Sequence, residues 1–145
     1  MPYDERMVAP MRQELTRVGF RELKSAQDVE QFINNQQGTA LVVVNSVCGC
    51  AAGMARPGVA LSLQSKVIPD KLVTVFAGQD LEAVAKVRSL VSPLPPSSPS
   101  MFLFKDGKFV WALQRYEIEG HSAVDVANKL AAAYEIFCSN DKLTV

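Results

Sequence analysis

The sequence predicts an α/β fold: a three-layer α/β/α sandwich around a mixed central sheet, with an N-terminal helical extension. Three observations carry that expectation. Residues 39–45 (TALVVVN) and 71–77 (KLVTVFA) are continuously apolar and β-branched, the pattern of strands covered on both faces. Helical apolar spacing follows each of them, so the two strands are expected to run parallel through right-handed crossovers. Residues 101–105 and 108–113 flank Asp106-Gly107, a strong hairpin signal that adds an antiparallel pair.

The elements follow in order. Met7, Met11, Leu15 and Val18 recur at spacings of four, four and three, one face of a helix over about 7–18 that Gly19 ends. Residues 19–23 suit a short edge strand. Ser25 followed by Asp28 resembles a capping box, and Val29, Phe32 and Ile33 supply a helical stripe to about Gln36, broken at Gly38. After the first buried strand comes Ser46-Val47-Cys48-Gly49-Cys50, and residues 51–63 read as a helix with a kink at Pro57-Gly58. Asp80 is expected to cap a helix carrying Leu81, Val84, Ala85, Val87, Arg88 and Val91. Residues 92–100 (SPLPPSSPS) hold four prolines and read as a rigid internal loop, because the chain beyond them is too short for a further domain. Ser122 with Asp125 opens a last helix through Val126, Leu130, Ala133, Tyr134 and Phe137.

From residue 39 the order is β-α-β-α-β-β-α, the thioredoxin-type layout. Residues 1–145 are therefore expected to form a single thioredoxin-like domain, with a core of about 19–138 and the N-terminal helix of about 7–18 beside it. Composition agrees, with 48% hydrophobic and 21% charged residues. Lys+Arg 15 against Asp+Glu 15, and a pI of about 6.6, supply no basic footprint for nucleic acid or anionic lipid, so neither is expected as a partner. The longest aliphatic run, residues 40–44, is far short of the roughly 20 residues that cross a bilayer. Residues 1–6 carry Asp4, Glu5 and Arg6 with no apolar run behind them, so no secretory signal is visible and a cytoplasmic location is expected. Cytoplasmic thiols stay reduced, and a close cysteine pair there points to redox chemistry or metal binding.

Cys48 follows a buried strand and stands at the start of a helix, where unsatisfied amide groups favour negative charge. Such a setting lowers a thiol's pKa from about 8.5, commonly into the range of about 3.5–7.5, and the thiolate is the nucleophile. A single cysteine of this kind would otherwise pass for a small buried hydrophobe. Cys50 is the candidate second thiol. Helical residues two apart face nearly opposite ways, so a disulfide between Cys48 and Cys50 requires a non-helical turn, which Gly49 is free to make, and is expected to be strained and easily reduced. Cys48, Cys50, Cys138 and His121 would make a Cys3His metal set, but only one short cysteine pair exists, and His121 beside Gly120 reads as a loop residue. Ser98-Pro99-Ser100 precedes a strand; in a thioredoxin layout this proline is cis and faces the cysteine, while Ser98 offers backbone groups to an extended substrate. Arg56 reads either as a solvated helix-face residue or as a partner for a thiolate or a substrate carboxylate. Trp111 and Tyr116 read as packing.

Several motifs in one order resemble a known family: VVVNSVCGCAAGMARPG at 42–58, VTVFAGQD at 73–80, PSSPS at 96–100, EIEGH at 117–121 and VAPMRQELTRVGF at 8–20 are similar to the bacilliredoxins. These are thioredoxin-like proteins with a C-G-C site, and the resemblance covers nearly the whole chain. It implies removal of bacillithiol from S-bacillithiolated proteins, with Cys48 attacking, Cys50 as the second active-site thiol and Cys138 in the place of a C-terminal resolving cysteine. No bound cofactor is implied; bacillithiol is the thiol co-substrate. The partners implied are S-bacillithiolated client proteins, a low-molecular-weight thiol and a dedicated disulfide reductase. A general disulfide isomerase or reductase, and a thiolate metal-binding module, are the alternative readings.

Overall fold

A five-stranded sheet lies at the centre of the computed structural model, which describes residues 2–139. Its strands are β1 (Arg21–Glu22), β2 (Thr39–Asn45), β3 (Lys71–Phe76), β4 (Ser100–Lys105) and β5 (Lys108–Leu113), in the spatial order β1-β3-β2-β4-β5. β1 and β2 both run parallel to β3, while β2–β4 and β4–β5 are antiparallel. β2 is buried along its whole length, as its uninterrupted apolar run requires. The turn Asp106-Gly107 takes positive φ at both residues, 51° and 80°, which matches the right-handed twist of the flanking strands.

The helices are α1 (Glu5–Thr16), α2 (Ala26–Asn34), α3 (Arg56–Ser62), α4 (Leu81–Leu90), α5 (Arg115–Ile118) and α6 (Ala123–Phe137). Side chains alternate across β2, so Leu41 and Val43 join one core with Leu15 of α1, Val59 of α3 and Leu130 and Tyr134 of α6. Ala40, Val42 and Val44 face the other core, with Val29 of α2 and Val84 and Val87 of α4. The result is the expected three layers. Ser25 and Ser122 cap α2 and α6 by accepting from the N–H groups of Asp28 and Asp125, each at 3.0 Å.

Four local features differ from the sequence reading. The buried face of α1 is Val8, Arg12 and Leu15, whereas Met7 and Val18 stand exposed. A charged residue takes the inward position because Arg12 is fully paired there: Nη1 and Nη2 bond the two oxygens of Asp80 at 2.9 and 2.8 Å, Nε bonds Glu5 at 2.8 Å, and the guanidinium lies 5.3 Å from the Phe76 ring centroid. Asp80 accordingly caps no N–H of α4 with its side chain; it bonds Arg12 and the Phe76 N–H instead. The helix break lies ahead of Pro57 rather than at it. Residues Ala51–Ala55 form a π-helical turn in which the Arg56 N–H reaches back to the Ala51 carbonyl. Pro57 then sits in the first turn of α3, where a missing N–H leaves least unsatisfied. Finally, α5 was not anticipated.

Candidate active site

β2 ends at Asn45, and the chain is held from that point on by side chains rather than by the sheet. The Asn45 side-chain oxygen accepts from the Ser46 N–H at 2.8 Å, and its amide donates to the Met11 carbonyl of α1 at 3.2 Å. Arg56 Nη1 donates to that same Asn45 oxygen at 2.9 Å and to the Ser46 carbonyl at 2.6 Å, while its Nε bonds Glu14 of α1 at 2.9 Å. Arg56 is only 3% exposed. It is therefore neither a solvated helix-face residue nor a ligand for thiolate or substrate; it is a buried clamp on the strand end. Ser46 Oγ in turn accepts from the Cys48 N–H at 3.3 Å.

The helical run begins directly after Cys48, whose carbonyl accepts from the Ala51 and Ala52 N–H groups at 3.1 and 3.2 Å. Cys48 is thus outside the helix, half-buried, and Cys50 is inside it and buried. This placement corrects the expectation that the two side chains diverge. That geometry holds for two helical residues, but Cys48 hangs from the preceding turn, and the sulfurs face each other at 2.6 Å as free thiols. Gly49 is already helical and does not use positive φ. A Cβ there would meet no heavy atom within 4 Å, so the position faces open space beside the cysteine turn.

The two thiols are electrostatically unequal. Burial works to raise the Cys48 pKa, but hydrogen bonds from the Cys50 thiol, from Ser46 and from the Ala51 and Cys50 N–H groups outweigh it and hold Cys48 below an ordinary thiol. Cys50 is pushed up by burial, and further by its hydrogen bond to Cys48 and the charge there. Donors that converge on one sulfur favour its thiolate over that of its neighbour.

Ser100 of β4 pairs with Val44, so the buried Pro99 lies level with the end of β2, beside the cysteine loop. The Ser98–Pro99 bond is cis, as the layout predicted, and Ser92–Pro93 is cis as well. The Ser98 carbonyl accepts from Arg115 Nη1 at 3.3 Å. Arg115 also bonds Glu119, with Nη2 at 3.0 Å, and both residues act electrostatically on Cys50. Sequence reasoning missed Arg115 because it missed α5. The available signal was Gln114 followed by Glu117, which forms a reciprocal capping box from an uncommon cap residue.

Other candidates lie apart. Cys138 is the buried residue that caps the C-terminus of α6, with its pKa raised by burial and its thiol bonded by Thr39. Thr39 and Asn45 are opposite ends of β2, about 20 Å apart, so the structure does not bring Cys138 to the pair. Residues 140–145, which follow it, lie outside the described residues. His121 is exposed, 3.8 Å from Asp125. Among the described residues no group of three or more His, Cys, Asp or Glu side chains is placed to hold a metal ion. Trp111 packs against one core, but Tyr116 is 72% exposed and packs nothing, since α5 is a single turn whose inward residue is Ile118. No described helix is long and apolar enough to cross a membrane.

Known proteins share both the sequence and the shape. A family model described as disulphide isomerase matches residues 3–138. The chain is 52% identical to a bacilliredoxin of Halalkalibacterium halodurans over 136 residues, covering 94% of each. It is likewise 52% identical to a bacilliredoxin of Geobacillus kaustophilus over 137 residues, again covering 94% of each. Among solved structures, Fasciola hepatica thioredoxin is similar with a TM-score of 0.57 and 25% identity, over 81% of this chain and 99% of that one. A putative oxidoreductase with a thioredoxin fold gives a TM-score of 0.53 at 17% identity, over 74% and 89%. Together with a free dithiol at the end of the central strand, these matches place the chain in the bacilliredoxin family, thiol–disulfide oxidoreductases of thioredoxin fold.

Proposed function

We propose that the protein removes bacillithiol from S-bacillithiolated client proteins, in the cytoplasm, with Cys48 as nucleophile. The observation that carries this reading is the dithiol itself: Cys48, partly exposed and lowered in pKa, with the buried Cys50, raised in pKa, 2.6 Å away. The Cys48 thiolate attacks the bacillithiol sulfur of the mixed disulfide. A Cys48–bacillithiol disulfide forms, and the client departs as its thiolate. Cys50 loses its proton and attacks Cys48, closing a Cys48–Cys50 disulfide and releasing bacillithiol as the thiol. Alternatively, a second bacillithiol attacks the adduct, giving bacillithiol disulfide and free Cys48. Two electrons from a dedicated disulfide reductase reset either product. Ser98 and Pro99 would hold the client's extended backbone beside Cys48, and Cys138 takes no part because it lies at the far end of β2.

The family description as disulphide isomerase favours a second reading, general isomerisation or reduction of protein disulfides. One experiment separates the two. A bacillithiolated test protein and a scrambled disulfide protein are each incubated with wild type, Cys48→Ser and Cys50→Ser, and adducts are followed by mass. Transfer of bacillithiol onto Cys48, trapped in Cys50→Ser and abolished in Cys48→Ser, supports the proposal. Release of the client by Cys48→Ser at the wild-type rate overturns it, and faster unscrambling than transfer favours the isomerase.

A further inference from the structure

Arg12, Arg56 and Arg115 are used very differently. Arg12 and Arg56 are buried, and each is fixed in place by bonds of 2.9 Å or less: Arg12 to Asp80 and Glu5, Arg56 to Glu14, Asn45 and the Ser46 carbonyl. Arg115 is 42% exposed, and its side-chain bonds are loose. Nε and Nη2 both reach one oxygen of Glu119, at 3.3 and 3.0 Å, instead of forming a two-oxygen fork. Nη1 reaches the Ser98 carbonyl at 3.3 Å, near the long limit for such a bond. Its partner Glu119 is 57% exposed, and an exposed i,i+4 pair adds little to stability. A cation so lightly committed adds little to the fold, yet it bonds the residue before Pro99 and lies within electrostatic reach of both thiols.

We propose that Arg115 binds a carboxylate on the low-molecular-weight half of the substrate disulfide, so that the site selects acidic thiols over neutral ones. The inference rests on the reading that Cys48 attacks such a disulfide. The guanidinium presents planar donors that match a carboxylate, and it exchanges its loose bonds to Glu119 for a ligand held in place by the reacting sulfur. The same movement frees the Ser98 carbonyl to accept a backbone N–H from the client. The covalent step is unchanged: the Cys48–sulfur bond forms, the substrate disulfide breaks, and the leaving thiolate carries away the electron pair.

The test compares an acidic disulfide, oxidised glutathione, with a neutral one, 2-hydroxyethyl disulfide, reacting with the reduced protein at low and high salt. Wild type should prefer the acidic disulfide, and salt should shrink the preference. Arg115→Gln should cut the rate with oxidised glutathione about tenfold while leaving the neutral reaction within twofold. Arg115→Lys should recover part of the loss. If Arg115→Gln slows both disulfides equally, or neither, Arg115 tunes the thiols or does nothing, and the inference is overturned while the dithiol reading stands. If wild type consumes neither disulfide, the oxidoreductase reading fails and takes this inference with it.

Discussion

Arg56 donates to the Ser46 carbonyl at 2.6 Å, so a residue on the helix after Cys48 grips the strand end before it. The reactive cysteine is thereby bracketed from both sides. Because Glu14 pairs with the same guanidinium, α1 is tied into the bracket. Arg56→Ala removes a partner of the Ser46 carbonyl and one of the two donors to the Asn45 oxygen, and should cost about 3 kcal/mol. Urea unfolding measures this, and alkylation of Cys48 in the same variant should slow as its supporting turn loosens. A change below about 0.5 kcal/mol would show that the bracket is dispensable.

Thiol reactivity should divide by pH in a stated direction. Cys48 is lowered, so its thiolate should form at a lower pH than that of an ordinary thiol. Cys50 and Cys138 are raised by burial, so each should react only at more alkaline pH than an ordinary thiol. Residue-resolved alkylation from pH 5 to 10 gives the three profiles. Cys138 reacting before Cys48 at acidic pH would contradict the assignment.

Gly58 marks a close approach of α3 to α6. A Cβ at that position would stand 2.7 Å from Val126 Cβ and Cγ1 and 3.0 Å from the Ala123 carbonyl oxygen. Gly58→Ala should therefore cost about 1–3 kcal/mol despite the better helix propensity of alanine. Adding Val126→Ala should return part of that loss, measurable as a coupling in a double-mutant cycle.

The Arg12–Asp80 pair should behave as a buried ion pair. Arg12→Ala leaves Asp80, itself buried, without its cation and should cost about 3–5 kcal/mol, with a lower Tm. Replacing both at once by Arg12→Met and Asp80→Leu should be milder than Arg12→Ala alone. Equal losses would show that uncompensated charge is not what destabilises the single variant.

What the sequence disclosed, and what it withheld, follows from the range of the interactions. β2, the Asp106-Gly107 turn and the capped start of α6 are written in contiguous residues, and each was legible at its observed bounds. The cysteine pair was legible by spacing, but its orientation was not, because that depends on the helix starting at Gly49 rather than before Cys48. Arg12 and Asp80 meet across distant parts of the chain, so no local pattern could reveal that an arginine belongs on the inner face of α1. α5 escaped for the opposite reason: a four-residue helix has too few positions to show a period.

The mixed sheet has one more consequence. β2 runs parallel to β3 and antiparallel to β4, so at the cysteine end of β2 one neighbour hands its chain away while the other receives its chain from residues 92–99. The sulfurs belong to β2 and its own helix; the groups proposed to greet a client belong to the incoming segment and to α5 beyond it. The sulfurs and the groups proposed for recognition are thus carried on separate stretches of chain that meet only in space. If Ser98 and Pro99 hold the client as proposed, a different 92–99 segment grafted onto this frame should change which disulfides react while leaving the alkylation profile of Cys48 as it is.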